Sequence, residues 1–301
     1  MTVSAVFSDG VSLGPAQCAV IVDYIIDGGA QEEPINSTLL RWSRERGIEA
    51  LRAGYPLTRI VLSPEPDAQV VVSGRLGFVG LIHGNSIIEE RIEGPKLHGF
   101  IRDLRVIDTH IYAVGMGRQV YRRSKPGQWE PFDTGLAHFT DNYLDVIGFN
   151  AIDGLSSHDI YVAGFDGEIW HFSGDTWRQA ATPTNVILER VRAIKPELVF
   201  AAGQKGVLLR GHGDAWEIVE HQETDKDFWG IEYFRDNLYL ATSEAIFRLL
   251  DNDKLERVNL GLTGERTYSQ LHSAEGALWS FGPKHLSWTE DGSIWHDVVM
   301  G

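Results

Sequence analysis

From Tyr161 to Trp177 the chain reads YVAGFDGEIWHFSGDTW. An apolar run headed by an aromatic, Tyr161-Val162-Ala163, ends on Gly164. A second apolar pair follows at Ile169-Trp170, and a turn at Ser173-Gly174-Asp175 leads to Trp177. Short β-branched and aromatic runs between Gly/Asp turns read as strands. The pattern recurs at Val71-Val72-Ser73-Gly74, Tyr112-Ala113-Val114-Gly115, Phe200-Ala201-Ala202-Gly203, Tyr239-Leu240-Ala241-Thr242 and Trp279-Ser280-Phe281-Gly282. Successive turn positions differ by 41, 49, 39, 39 and 40 residues. Each copy continues into a further strand, such as Phe78-Val79, Val120-Tyr121, Leu208-Leu209, Ile246-Phe247 or Leu286-Ser287-Trp288. Trp129, Trp177, Trp216 and Trp295 stand 14, 13, 13 and 13 residues beyond their turn glycines. Another apolar segment precedes each copy: Ile101 to Ile107, Tyr143 to Phe149, Val191 to Ile194 and Phe228 to Phe234. Four short strands in about 40 residues, repeated, are the signature of a β-propeller blade.

Six copies cover Leu57 to Val299, and strand-like stretches in residues 2–54 supply a diverged seventh. The expected fold is a single all-β domain, a seven-bladed β-propeller with blades near 2–54, 57–95, 100–133, 143–181, 187–222, 227–260 and 267–299; the alternative is six blades with an N-terminal cap. The last copy holds its own outer strand around Trp295, so the first blade is expected to lie directly against the last. The turns Ser173 to Trp177 and Thr289 to Trp295 resemble Asp-box turns, in which a Gly stands three residues before an aromatic. The usual Ser-x-Asp before that Gly is replaced by Trp288 and Glu290 in the last copy. On these residues the chain resembles the broad group of WD/YVTN/BNR-like repeat propellers. That group includes sialidases, lyases, assembly factors and pure binding scaffolds, so the resemblance implies architecture rather than one activity.

Composition narrows the function. The net charge of −15 opposes affinity for phosphate backbones, which clustered Lys and Arg provide. No apolar run is long enough to span a membrane as a helix, and Met1 to Pro15 has neither the basic start nor the apolar stretch of a secretory leader. Cys18 is the single cysteine, which excludes an internal disulfide and fits a reducing, cytoplasmic setting. The expectation is a soluble monomer that carries no cofactor and contacts neither nucleic acid nor membrane.

In a propeller, the turns joining second to third strands share one face, here called the top, with the connections from each fourth strand to the next blade. Two long irregular stretches map there, 27–37 and 134–142, the second accounting for the 49-residue spacing. Long loops on a compact scaffold are commonly functional. The repeated aromatics and tryptophans obey the repeat and are assigned to packing between blades, because packing follows a repeat whereas function breaks it. Residues that break it are the site candidates. The apolar anchors are Met116, Phe139, Phe165 and Trp229, the last with Phe228 before it. His138, Arg75, Arg118, Asp166, Lys205, Asp227, Glu244, Lys284 and His285 surround them, and Glu32 and Glu33 lie in the acidic first loop. Aromatics mixed with arginines and acids are what protein interfaces favour at their centres.

No linear catalytic or metal motif is present. Gly115-Met116-Gly117 is a hairpin turn, there is no Gly-x-Ser-x-Gly elbow, and the eleven histidines lack metal-ligand spacing. The leading expectation is a non-catalytic binding propeller that recognises a partner protein through its top face, of the bacterial immunity type that neutralises a toxin. The alternative is a propeller enzyme acting on a small molecule at the channel mouth. A sialidase-like site would draw on Arg59, Arg102, Arg190 and Arg192 with Asp103, Asp145 and Asp227. A metal-dependent lyase would draw on His285 and Glu244.

Overall fold

The computed structural model describes residues 3–26, 36–64, 69–94, 98–136 and 147–298. Its strands form seven four-stranded antiparallel sheets, each an up-and-down meander of consecutive strands. The first comprises β1 (Val3–Gly14), β2 (Gln17–Ile26), β3 (Ser37–Ser43) and β4 (Gly47–Arg52), so the N-terminal segment is a full blade and not a cap. The second runs β5 (Arg59–Leu62), β6 (Val70–Ser73), β7 (Phe78–His83) and β8 (Ser86–Arg91). The third runs β9 (Ile101–Ile107), β10 (His110–Gly115), β11 (Val120–Lys125) and β12 (Gln128–Pro131). The fourth is β13 (Phe149–Ser156), β14 (Asp159–Gly164), β15 (Ile169–Phe172) and β16 (Trp177–Gln179). The fifth is β17 (Leu188–Lys195), β18 (Leu198–Gly203), β19 (Leu208–His212) and β20 (Ala215–Ile218). The last two are β21 (Gly230–Phe234) to β24 (Leu255–Arg257) and β25 (Gln270–Ala274) to β28 (Trp295–Asp297). Two compact units emerge, one of residues 1–60 with 229–301, the other of residues 61–228.

In the 61–228 unit the strands that open successive blades, β9, β13 and β17, pack side by side. The second strands are buried along nearly their whole length because sheets cover them on both sides; Ile160, Tyr161, Val162, Ala163 and Gly164 are all buried. Tyr112 lies in one apolar cluster with Phe149, Ile152 and Val162 of the next blade, as the repeat argument expects of a packing residue. Its equivalent, Tyr161, meets Trp216 of the following blade at 6.1 Å and accepts the Gly213 N–H at 3.1 Å. Burial pushes the Tyr161 phenol up to about 12. Trp177 donates its indole N–H to the Phe132 carbonyl at 2.8 Å, which ties the outer strands of two blades.

The fourth blade's inner strand is Phe149–Ser156, later than the apolar segment Tyr143 to Phe149 suggests. Polar residues disguise it. Asn150 and Asp153 are buried on this strand, and neighbouring blades satisfy them: Asn150 donates to the Leu188 carbonyl at 3.0 Å, and Asp153 accepts the Ala193 N–H at 3.0 Å. Asp103 does the same for the Ile152 N–H at 3.0 Å. An inner-strand carboxylate accepting the next blade's backbone N–H is thus a second repeated joint, invisible to hydrophobic periodicity.

The repeated turn glycine also has a specific cause. At the end of β14 the backbone closes onto the residue preceding β13, and a Cβ on Gly164 would lie 2.0 Å from the Gly148 carbonyl oxygen. Gly115, Gly203 and Gly282 face the carbonyls of Phe100, Ile187 and Thr267 at 2.1, 2.2 and 1.7 Å in the same way. Gly164→Ala is therefore expected to destabilise the chain by about 2–3 kcal/mol, since only backbone movement relieves the clash. Urea unfolding checks this, and a change below about 0.5 kcal/mol would refute the close-approach account. The sixth blade has Thr242 at this position, and there the hydroxyl oxygen accepts the N–H groups of Glu244 and Ala245 at 3.2 and 3.1 Å.

Within the other unit the first and last blades meet directly. Ser12 donates its N–H to His272 Nδ1 at 3.1 Å and its hydroxyl to the Ala274 carbonyl at 3.1 Å, and Trp279 donates its indole N–H to the Gly14 carbonyl at 3.0 Å. Cys18 is buried, and that burial pushes its thiol up, which leaves it protonated packing material rather than a nucleophile. No helix among the described residues is long and apolar enough to cross a membrane.

Candidate protein-binding face

In the 61–228 unit a chain of backbone hydrogen bonds joins turns to connections, which places them on one face. The Arg75 carbonyl accepts Ile101 N–H at 2.8 Å, and the Phe100 carbonyl accepts Met116 N–H at 2.9 Å. Gly117 N–H reaches Ile147 and Phe165 N–H reaches Gly148, at 2.9 and 3.1 Å; Gln204 N–H reaches Ile187 and Phe228 N–H reaches Gly203, at 2.9 and 3.0 Å. The face therefore carries Arg75, Met116, Arg118, Phe165, Asp166, Lys205 and Asp227. Arg118, Asp166 and Lys205 sit at turn tips with φ of 55° each, next to Gly117, Gly167 and Gly206. Paired positive φ values give the tight turn that suits two twisted strands.

These residues differ in what they can offer a partner. Arg118 grips Glu168 with two nitrogens, one bond at 2.7 Å, and lies 5.7 Å from the Trp170 ring. Its hydrogen bonds to Glu168 raise its already high pKa against the opposing effect of burial, so it joins two blades permanently charged. Asp227 accepts the Lys205 backbone N–H at 2.9 Å and caps that turn. Phe228 is fully buried against His221 and offers no contact surface. Phe165 and Met116 are half-buried, while Asp166 and Lys205 are exposed. Sequence reading left out Phe100, which is 42% exposed and whose ring lies 5.7 Å from the Arg75 guanidinium. Its only signal was an aromatic standing between Gly99 and the strand starting at Ile101.

In the unit of residues 1–60 and 229–301 the corresponding turns hold Glu244, Lys284 and His285. Tyr268 N–H reaches the Ser243 carbonyl at 3.4 Å, Thr267 N–H reaches His285 Nδ1 at 3.2 Å, and Phe7 N–H reaches the Pro283 carbonyl at 3.0 Å. Burial, with help from the charge of Arg266, lowers the His285 pKa, consistent with a ring nitrogen that accepts a hydrogen bond. Trp229 is half-buried and donates its N–H to Ala241. A cleft of about 580 Å³ opens between Glu244, Arg257, Leu262, Glu265, Arg266 and Tyr268. Arg266 is anchored there by a bond from Nη1 to Asp297 at 3.0 Å. Glu32, Glu33, His138, Phe139 and Asp145 lie outside the described residues.

Several of the groups nominated for catalysis are drawn into structural contacts. Arg192 reaches Asp153 at 3.3 Å, and Arg105 binds the other oxygen of that buried carboxylate at 2.9 Å. Arg102 donates to Asn150 at 3.1 Å, and Arg59 faces Asp9 at 3.8 Å. Among the described residues no group of three or more His, Cys, Asp or Glu is placed to hold a metal ion.

No protein-family model matches the chain. Among solved structures it is similar to the WD40 β-propeller domain of Doa1, with a TM-score of 0.69 at 11% identity, covering 96% of this chain and 93% of that one. It is also similar to U3-55K, with a TM-score of 0.66 at 10% identity over 93% and 91% of the two chains. With seven four-stranded sheets, the fold is a seven-bladed β-propeller. In sequence the chain is 36% identical over 235 residues to the immune protein Tsi7 of Pseudomonas aeruginosa, covering 77% of this chain and 76% of that protein. Identity of that order over three quarters of both chains, where propellers of similar fold share only about a tenth of their residues with it, makes this chain a member of the Tsi7 family of immune proteins.

Proposed function

We propose that this chain is a non-catalytic immunity protein that neutralises a protein toxin by binding it through the turn face. The observation that carries this reading is the relationship to an immune protein over most of both lengths. The geometry supports it, since the turns are latched to one another by backbone bonds and present side chains on a rigid support, which limits the entropy lost on binding. The inner-strand arginines support it as well, because Arg105 and Arg192 are both engaged by the Asp153 carboxylate. In this reading the protein acts as a cytoplasmic monomer without a cofactor. Its net charge of −15 favours a basic protein surface over nucleic acid or an anionic membrane.

The test uses the purified product of the reading frame adjacent to this chain's own. The wild-type chain is expected to form a stoichiometric complex with it on size-exclusion chromatography and to protect cells that express it. Phe165→Ala combined with Lys205→Ala is expected to weaken binding about tenfold. A wild-type chain that neither binds nor protects would end this reading.

A further inference from the structure

Two of the most exposed apolar side chains in the 61–228 unit, Leu76 at 60% and Phe100 at 42%, stand on backbone segments bonded to each other. Leu76 follows Arg75, whose carbonyl accepts the Ile101 N–H and whose guanidinium lies 5.7 Å from the Phe100 ring. Met116 closes the other side. Its N–H goes to the Phe100 carbonyl, and a Cβ on Gly99 would stand 3.0 Å from Met116 Cβ, so the Met116 side chain rests on that glycine. Gln119, buried beneath, donates its amide to the carbonyls of both Gly99 and Met116, at 2.7 and 2.9 Å. Leu76 sits in a turn, and both it and Phe100 leave much of their apolar surface in water. Single exposed apolar residues are ordinary, but a rigidly held group of leucine, phenylalanine and methionine beside an arginine has the make-up of an interface centre.

The same face supplies the charge. The connection after β20 carries exposed Glu220, Glu223 and Asp225 with one cation, Lys226, and is held to the face by the bond from His221 Nε2 to the Gly206 carbonyl at 2.7 Å. We infer that Leu76, Phe100 and Met116 form the apolar centre of the surface that binds the toxin, and that the toxin is a basic protein seating an apolar side chain on this patch while its cations face the acidic connection. This rests on the neutralisation reading above and specifies both the centre of the interface and the chemistry of the partner.

The experiment measures the affinity of the purified adjacent-frame product for four proteins: wild type, Leu76→Asp, Phe100→Ala and Ile88→Asp. Ile88 is 53% exposed on β8, the outer strand of the same blade, and controls for the charge and the loss of an exposed apolar group. Leu76→Asp and Phe100→Ala are each expected to raise Kd about 30-fold or more, and Ile88→Asp less than about threefold. Raising NaCl from about 50 to about 500 mM is expected to weaken the wild-type complex about tenfold. Thermal unfolding of Leu76→Asp within a few degrees of wild type shows that a loss of affinity is local. A wild-type complex left intact by Leu76→Asp overturns the patch, and one indifferent to salt overturns the basic partner. A wild-type chain that binds nothing overturns the neutralisation reading and this inference with it.

Discussion

Glu90→Ala is expected to lower the unfolding free energy by about 3–5 kcal/mol, because it strands a buried guanidinium. The Glu90 and Arg123 side chains are only 3% and 7% exposed, and they meet across the joint between the second and third blades. Arg123 donates to Glu90 at 2.9 Å from Nε and 2.7 Å from Nη2. The carboxylate also accepts the Gly127 N–H at 2.7 Å and the Trp129 indole N–H at 3.0 Å. Removing it leaves several donors without an acceptor in a site that water reaches poorly. The double substitution Glu90→Leu/Arg123→Leu is expected to recover most of the loss, since the penalty comes from an unpaired charge rather than from lost attraction. Urea unfolding of the three variants decides it; a loss below about 1 kcal/mol for Glu90→Ala would show the clamp to be incidental.

The pH dependence has a definite sign. Burial by itself raises the Glu90 carboxyl, but the bonds from Arg123 and Gly127 outweigh it and hold the group below the ordinary carboxylate value. The contribution is therefore complete above the unfolded-state pKa and fades as pH falls through the folded one. Wild type and Glu90→Ala are expected to converge in stability in acid and to separate as the pH rises towards neutrality.

Trp279→Ala is expected to cost a further about 3–5 kcal/mol, at the joint between the first and last blades. Trp279 is fully buried and lies between Trp42, Phe281 and Trp288, with ring centroids 5.9, 5.8 and 6.1 Å away. Alanine leaves a cavity that stiff β-sheets on either side cannot collapse to fill. It also removes the indole N–H that satisfies the Gly14 carbonyl. Trp279→Phe keeps most of the ring volume and loses the hydrogen bond, so its expected cost is about 1–2 kcal/mol. Hydrogen exchange adds a spatial readout. Because β1 packs on the last blade through Ser12 and Gly14, amides of β1 are expected to exchange faster in Trp279→Ala than those of β10 or β14. Uniform acceleration across these strands would argue against a local joint.

The candidate face was only partly legible. The turn positions of Arg75, Met116, Phe165, Asp166 and Lys205 follow from the repeat, since each stands a fixed step beyond its blade's second strand. What each side chain does there does not follow. Arg118 looks like a surface arginine until Glu168, 50 residues later, is brought against it by the next blade. Phe228 reads as an anchor beside Trp229, yet packing against His221 takes its ring inside. Phe100 belongs to no repeated pattern, and its exposure arises only because the neighbouring Arg75 and Met116 segments hold the backbone and leave the ring outward. Among the catalytic nominees, Arg192 acquires its meaning from Asp153 and Arg102 from Asn150, each reaching it from a neighbouring blade.

Residue order by itself determined the blade: four strands, a turn residue that is usually glycine, a tryptophan 13 or 14 residues beyond it in four copies, and hence six of the units and the direction in which their turns point. The structure decided that residues 2–54 form a seventh blade rather than a cap. These are local properties, set by strand propensity, turn chemistry and the need of each sheet to cover an apolar face, and they repeat because the physical demand repeats. Only the tertiary structure decided which charges are clamped, which aromatics are swallowed and which apolar groups are left in water. Most of those outcomes depend on the side chain that a neighbouring blade or connection presents, a pairing that no periodicity within a single blade encodes.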